Sequence, residues 1–156
     1  MRVIGCVVLM TALCGCSKPS LIPNTKVADT KTNREILQVL ESYRRAMEKK
    51  DAAKVLSLVH PTYRDERSGA REGGDLDYTG VRRVLANRFK LADRVRYRIE
   101  YQRLRMRGRE ALVDAWVDAT FVYRQPDVTP RWERLADYNR FHLLHVDGRW
   151  QIISGL

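Results

Sequence analysis

The sequence predicts an α+β domain in which three N-terminal helices pack on one face of a four-stranded antiparallel sheet. Three observations lead to this fold class. Apolar residues repeat with the period of a helix up to about residue 92. From Arg94 onward they alternate with a period of two, as in a half-buried strand. Gly108 and the Asp147-Gly148 pair mark tight turns between strands.

The first helix is predicted to begin in the segment Thr32 to Glu35, which has the S/T-x-x-E form of a capping box. Behind it, apolar residues recur at helical spacing and form one stripe: Ile36, Val39, Leu40, Tyr43, Ala46 and Met47. Glu41 and Arg45 fall on the opposite face. The pattern is typical of a surface helix that buries a single side.

Two shorter helices follow. Asp51 is a good N-cap for the second helix, which Pro61 brings to an end. The third helix is predicted to run from about Thr79 to Ala92. The charged, glycine-containing stretch between them, Arg64 to Asp77, is predicted to be a loop.

The first strand is predicted to carry a cationic outer face and a bulge. Its apolar residues lie at odd positions, and they alternate with arginines: Val95, Tyr97, Ile99 and Tyr101. Farther along, Leu104 and Met106 are apolar at even positions. This change of phase predicts a bulge near Gln102 and Arg103.

The second strand has small and large apolar residues on one face: Ala111, Val113, Ala115, Val117, Ala119, Phe121 and Tyr123. With the bulge in place, the hairpin register pairs Tyr101 with Ala115 and Tyr97 with Ala119, so that large side chains meet small ones. The same register sets Arg98 opposite Asp118. We expect a solvated ion pair there, worth less than about 1 kcal/mol.

The third strand is predicted from about Trp132 to Val146, and the fourth from Arg149 to Ser154, joined by a tight turn. Four large apolar residues of these strands share one face: Phe141, Leu143, Trp150 and Ile152. The sheet is therefore an antiparallel meander with one apolar side.

Two segments resemble a known family. The run Ile36 to Val59, with Tyr43 to Asp51 inside it, resembles the opening of nuclear transport factor two-like domains. The segment Phe141 to Ile152 resembles their closing hairpin. The resemblance implies a curved, cone-shaped sheet wrapped around helices, often dimeric. Members include ketosteroid isomerase, scytalone dehydratase, limonene epoxide hydrolase, ligand-binding modules and association domains, so the fold alone does not choose a chemistry.

The N-terminus has the order of an export signal. Arg2 precedes an apolar run from Val3 to Leu13, which is shorter than the roughly 20 residues of a membrane span. The segment Leu13 to Cys16 resembles the lipobox of bacterial lipoproteins. That resemblance implies that Cys16 receives a diacylglyceryl thioether, becomes the new N-terminus and is acylated again. We therefore expect a signal peptide over residues 1–15.

The predicted organisation continues with a lipidated Cys16 and a flexible tether over residues 16–31, followed by one domain over residues 32–156. Ser17 resembles the signal that directs lipoproteins to the outer membrane. We expect a lipid-anchored protein of the cell envelope, facing the periplasm. All three cysteines, Cys6, Cys14 and Cys16, lie at this end, so the domain has no disulfide framework.

The net charge of +10, from 29 Lys and Arg against 19 Asp and Glu, predicts attraction to anionic surfaces. Export removes nucleic acid as a partner, and we expect none. The anionic surfaces that remain for an exported protein are lipid headgroups and cell-wall polymers. Arg94, Arg96 and Arg98 on the cationic strand face are therefore expected to contact anionic lipid.

The isomerase pattern, applied residue by residue, assigns no catalytic residue. It has a tyrosine in the first helix eight residues before the second-helix aspartate, which Tyr43 and Asp51 reproduce. Its general base falls on Arg67, whose guanidinium stays protonated and cannot take a proton from carbon. Asp65 and Glu66 lie nearby but are offset along the loop.

Other constellations predict no metal or cofactor. His142 and His145 are three apart on a strand, so they face opposite sides and cannot share a metal ion. Asp114 and Asp118 flank Trp116 on the face opposite the apolar one. That arrangement favours a solvated face or a dimer interface over acid–base chemistry.

Asp137 and Asn139 are the pocket candidates, together with Tyr43. Without a bulge they continue the Phe141 and Leu143 face toward the mouth of the cone, where polar groups need partners. A bulge after Asn139 would instead turn both side chains to solvent.

The expected function is non-catalytic binding of a small ligand or an envelope protein. One alternative is a hydrolase or isomerase that uses Tyr43 and a carboxylate in the cone. A second is a structural homodimer that presents the outer sheet face around Trp116. A hollow cone with an inward carboxylate favours the enzyme, whereas a cone filled by side chains such as Tyr97, Tyr101 and Phe121 favours association.

Overall fold

The computed structural model describes residues 20–66, 76–123 and 131–156. The segment with Cys16, and Arg67 in the predicted loop, lie outside the described residues. The helices are α1 (Lys31–Lys49), α2 (Ala52–Leu58) and α3 (Tyr78–Leu91). The strands are β1 (Arg64–Asp65), β2 (Leu76–Asp77), β3 (Ala92–Arg107), β4 (Glu110–Tyr123), β5 (Arg131–Val146) and β6 (Arg149–Ser154). The α+β class is confirmed.

Side-chain caps set the helix starts. Thr30, rather than Thr32, caps α1, and it accepts a hydrogen bond from the backbone N–H of Asn33 at 3.1 Å. The predicted capping box is therefore corrected by two residues, because an earlier hydroxyl reaches the first turn. Asp51 caps α2 as predicted and accepts from the N–H of Lys54 at 2.9 Å. Asp77 caps α3 in the same way.

The predicted loop from Arg64 to Asp77 contains a small antiparallel pair. β1 pairs with β2, with Arg64 opposite Asp77 and Asp65 opposite Leu76. Two-residue strands have no period that a sequence pattern can display. Their pairing matters because it fixes the start of α3 and holds Asp65 in place.

The large sheet has the strand order β3-β4-β5-β6, all antiparallel. The β3–β4 register pairs Tyr101 with Ala115 and Tyr97 with Ala119, and it shifts between Tyr101 and Arg103. Both the predicted register and the predicted bulge are confirmed. In the β5–β6 turn, positive φ angles of 49° at Asp147 and 74° at Gly148 match a type I′ hairpin.

The prediction that Arg98 and Asp118 form an ion pair is wrong, because each residue has a different partner. The two residues are opposite each other in the register, but Asp118 binds Arg134 of β5 instead, through Nε and Nη2, each at 2.9 Å. A two-point contact to one carboxylate is stronger than a single one. Arg98 pairs with Glu100 along its own strand at 2.8 Å.

The β4–β5 ladder runs without a register shift, from Tyr123 opposite Arg131 to Glu110 opposite Leu144. The alternative bulge after Asn139 is therefore not formed. Asp137 and Asn139 lie on the same face of β5 as Phe141, which is fully buried.

Residues 20–30 differ from the expected flexible tether. Leu21 and Ala28 form an antiparallel bridge, and the N–H of Asp29 donates to the carbonyl of Ser20 at 2.7 Å. Val27 is buried, and the N–H of Lys26 donates to the carbonyl of Tyr101 at 3.2 Å. The segment is a clip on the edge of β3, because one buried apolar side chain and paired backbone groups hold it there.

The helices cover the inner face of the sheet. The buried residues with the largest side chains come from every layer: Ile36, Leu40, Val55, Val59, Tyr63, Val113, Phe121, Phe141, Leu143 and Ile152. Within the described ranges, no helix is both long and apolar enough to cross a membrane.

Candidate functional site

A cavity of about 500 Å³ lies between the helices and the inner face of the sheet. Most of its wall is apolar: Met47, Val55, Leu76, Val81, Val84, Leu85, Val117, Ala119, Phe121, Leu135 and Leu156. A volume of this size is within the range of small-molecule sites. The cone is therefore hollow, although Tyr97 and Phe121 form part of its wall.

Two tyrosines form a hydroxyl pair on the wall of the cavity. The hydroxyl of Tyr43 on α1 is 3.2 Å from that of Tyr97 on β3, and their rings meet edge to face. Burial raises the pKa of both phenols, so both are neutral at ordinary pH. Only one of the two O–H groups is used in their mutual bond. The other remains to donate to a ligand oxygen.

Asp65 brings a carboxylate to the cavity wall. The Asp65 side chain is only 5% exposed, because it points from β1 into the cavity wall, where it contacts the C-terminal residues. Its Oδ2 accepts from the backbone N–H of Gly155 at 2.8 Å and lies 3.4 Å from the hydroxyl of Tyr63. These donors hold the carboxylate in one orientation.

The C-terminal residues complete the same wall. Asn139 donates from Nδ2 to the carbonyl of Gly155 at 2.6 Å, and the N–H of Leu156 donates to the Tyr63 hydroxyl at 2.9 Å. Leu156 itself lines the cavity. Asn139, which is half-buried, therefore positions the wall as well as lining it, and its Nδ2 is satisfied by a backbone carbonyl.

Charged groups lie at β5 and α3. Asp137 is exposed, lines the cavity and accepts from the N–H of Tyr138 at 2.7 Å. Glu133 accepts from the hydroxyl of Tyr123 at 3.0 Å. The Arg88 guanidinium lies 4.8 Å from the ring centre of Phe121, a cation–π contact. The cavity thus combines an apolar wall with both signs of charge.

The structure brings the three predicted pocket residues, Tyr43, Asp137 and Asn139, to one cavity. The sequence pattern did not assign Asp65 to it, because the family offset pointed two residues farther on. Tyr63 and Asp65 are two apart and both buried, but β1 contains only Arg64 and Asp65, which is too short for a sequence pattern to reveal.

Within the part of the chain that the structure describes, no three His, Cys, Asp or Glu side chains are grouped so as to hold a metal ion. His142 pairs with Glu110 at 3.0 Å on the outer face, while the His145 ring lies 4.9 Å from that of Trp150. The two histidines do not meet.

The fold that surrounds this cavity is similar to that of several solved structures. A candidate scytalone dehydratase from Novosphingobium aromaticivorans is 14% identical, with a TM-score of 0.68 over 80% of each chain. A candidate dehydratase of the NTF2-like family from Streptomyces avermitilis is 13% identical, with a TM-score of 0.60 over 79% of this chain and 92% of the other.

A type 2 hexachlorocyclohexane dehydrochlorinase is 11% identical, with a TM-score of 0.63 over 80% of this chain and 88% of the other. No protein-family model and no curated protein matches the sequence. At these identities the likeness establishes the fold, that of the nuclear transport factor two-like proteins, and leaves the chemistry to the residues of the site.

Proposed function

We propose that this protein binds a small, mainly apolar ligand in the cavity enclosed by the sheet and the helices, and that it does so at the cell envelope, anchored through an acylated Cys16. The observation that carries the first part is the hollow cone. A domain that only associated with other proteins would gain stability by filling a void of about 500 Å³ with side chains.

The polar groups of the wall indicate what the ligand carries. A neutral O–H of the Tyr43–Tyr97 pair donates to an oxygen acceptor, and the mainly apolar wall around the pair strengthens that bond. A ligand with an apolar body and one carbonyl or hydroxyl oxygen fits this arrangement.

Binding of 2-naphthol, a fluorescent phenol, tests the cavity. Leu135→Phe adds a ring to the cavity wall, and we expect it to weaken binding at least tenfold. Ala136→Phe is the matched control, since Ala136 is exposed on the opposite face of β5. Equal binding by both variants, or no binding by the unmodified protein, would contradict the proposal.

A second candidate function is proton transfer on such a ligand, with Asp65 as the base. The observation that favours it is a hollow cone with an inward carboxylate, the arrangement expected above for an enzyme, on an apolar wall that also carries two phenol hydroxyls. Dehydration and dehydrochlorination are the reactions in the names of three structural neighbours, and each requires a base.

Ring opening of 5-nitrobenzisoxazole, which needs only removal of one proton from carbon, tests this candidate. We expect Asp65→Asn to lower the rate, while Asp77→Asn, a helix cap in the neighbouring strand, leaves it unchanged. Identical rates for the unmodified protein and Asp65→Asn would exclude Asp65 as a base for this probe.

A further inference from the structure

We propose that the outer face of the sheet docks flat on an anionic phospholipid surface, with the arginines of β3 on the headgroups. This inference rests on the proposed acylation of Cys16 and adds which side of the domain meets the bilayer.

The clip, residues 20–30, holds the start of the domain beside β3. Ser20 is tied to Asp29, and Lys26 is tied to Tyr101 at the edge of β3. Only four residue steps separate Cys16 from Ser20. A fully extended chain spans at most about 14 Å over that length. The domain is therefore held close to the membrane, and the strand beside its anchor point is β3.

The outer face of the sheet carries an excess of positive charge. Among the described residues, β3, β4 and β5 present eight arginines and four carboxylates on the outer side. Six of the arginines lie on β3: Arg94, Arg96, Arg98, Arg103, Arg105 and Arg107. All six are exposed. The excess of positive charge fits a phosphodiester surface and opposes a second copy of the same face.

Four of these eight described arginines are paired with carboxylates of the same face. Asp114 binds Arg105 at 3.0 Å and Arg140 at 2.6 Å. Asp118 binds Arg134, and Glu100 binds Arg98. Over the described ranges Arg94, Arg96, Arg103 and Arg107 make no ion pair. These guanidiniums are available to phosphate oxygens, which they bind in a two-point geometry.

Exposed aromatic rings on the same face support a membrane in particular. Trp132 is 67% exposed and Tyr138 74% exposed, and the Tyr138 ring lies 4.9 Å from that of Trp116. Trp and Tyr are enriched at the level of lipid headgroups because their rings are amphipathic. A face that combines them with unpaired arginines matches that layer.

The test uses the acylated full chain, reconstituted in vesicles of phosphatidylethanolamine with 30% phosphatidylglycerol or of phosphatidylcholine alone, both containing brominated lipid. Flotation with the vesicles reports the anchor. Quenching of tryptophan fluorescence by bromine reports docking of the face, because Trp116 and Trp132 both lie on it whereas Trp150 is buried. We expect quenching with phosphatidylglycerol, its loss in high salt, and its absence with phosphatidylcholine.

The triple change Arg94→Glu, Arg96→Glu and Arg103→Glu should lower the ratio of docked to undocked protein by more than about tenfold. The control Arg45→Glu, Arg83→Glu and Lys90→Glu makes the same change of charge on exposed helix positions and should keep the quenching.

If the β3 variant and the helix control both float with the vesicles and are quenched equally, the docking proposal is wrong and the anchor is still supported. The same holds if the protein floats but is never quenched. A protein that does not float overturns the anchor and the docking with it. A dimer that shields Trp132, detected by sedimentation, would overturn the proposal in favour of a second copy.

Discussion

The carboxylate of Asp65 accepts a hydrogen bond from the backbone N–H of Gly155 at 2.8 Å, across ninety positions of the chain. Through this contact the short β1–β2 pair and the end of β6 become two sides of one cavity wall. The stability of the domain and the shape of its cavity are therefore coupled at a single carboxylate.

Asp65→Ala is expected to destabilise the domain by about 1–3 kcal/mol, because it leaves the Gly155 N–H without its acceptor in a buried place. Urea unfolding measures the change. Asp65→Asn keeps an oxygen acceptor and should cost less. If Asp65→Ala and Asp65→Asn were equally stable, the hydrogen bond would contribute nothing.

Gly155→Ala should be more damaging than Gly108→Ala. Both glycines have a positive φ, of 97° and 60° respectively, which costs an alanine roughly 1–2 kcal/mol. A Cβ at Gly155 would also overlap the backbone carbonyl of Arg140, whereas one at Gly108 meets open space. Thermal unfolding of the two variants gives the comparison, and equal melting temperatures would contradict it.

Stability is expected to fall as the pH rises above about 10, the ordinary pKa of tyrosine. Burial raises the pKa of Tyr43, Tyr63, Tyr97 and Tyr101 in the folded protein. Above pH 10 the unfolded chain loses these protons and the folded one keeps them, so unfolding is favoured. Their stabilising contribution is complete below that pH. Denaturant titrations at pH 8 and 11 test the direction.

Tyr101→Phe serves as the check on this pH dependence, because it removes one raised pKa and should reduce the loss of stability between pH 8 and 11. Its hydroxyl donates to Glu41 at 3.0 Å and lies away from the cavity lining, so ligand binding should not change. An unaltered pH slope would mean that other groups govern alkaline unfolding.

Cys16→Ser is expected to release the protein from membranes with its fold intact, since no described contact of the domain needs that residue. Acylation at two or more positions makes anchoring effectively irreversible, whereas one chain gives only weak binding. Fractionation and circular dichroism measure the two outcomes. A variant that still fractionated with membranes would contradict anchoring through Cys16.

Trp116→Glu is expected to leave the sedimentation mass unchanged. The outer face carries twice as many arginines as carboxylates on β3 to β5 of the described chain, so two copies repel each other there. A mass that fell from dimer to monomer in this variant would support the structural homodimer instead.

The long helices and strands could be predicted from the sequence because each is long enough for its apolar pattern to repeat several times. The bulge in β3 follows from a change of phase that Leu104 and Met106 make visible. The β1–β2 pair has no such length. The clip escaped prediction for another reason, since its polar composition hides the one side chain, Val27, that anchors it.

For the cavity, Asp137 and Asn139 followed from uninterrupted alternation along β5, which the register confirms. Asp65 did not follow, since its place depends on pairing between two short strands and on contact with residues ninety positions away. The partner of Asp118 also depended on the third strand, which a two-strand register does not include.

The bulge between Tyr101 and Arg103 determines where the part of β3 from Arg94 to Arg107 tolerates a one-residue deletion. The outward arginines have even numbers before the bulge and odd numbers after it. They share one face of β3 only because the bulge adds one residue between the two sets. Deletion of Gln102 would leave a regular strand in which every side chain of β3 stays on its present side of the sheet. Deletion of Arg98 would shift the register by one residue and turn cationic side chains toward the cavity. Between Arg94 and Arg107, a one-residue deletion in β3 is therefore tolerated best at this bulge.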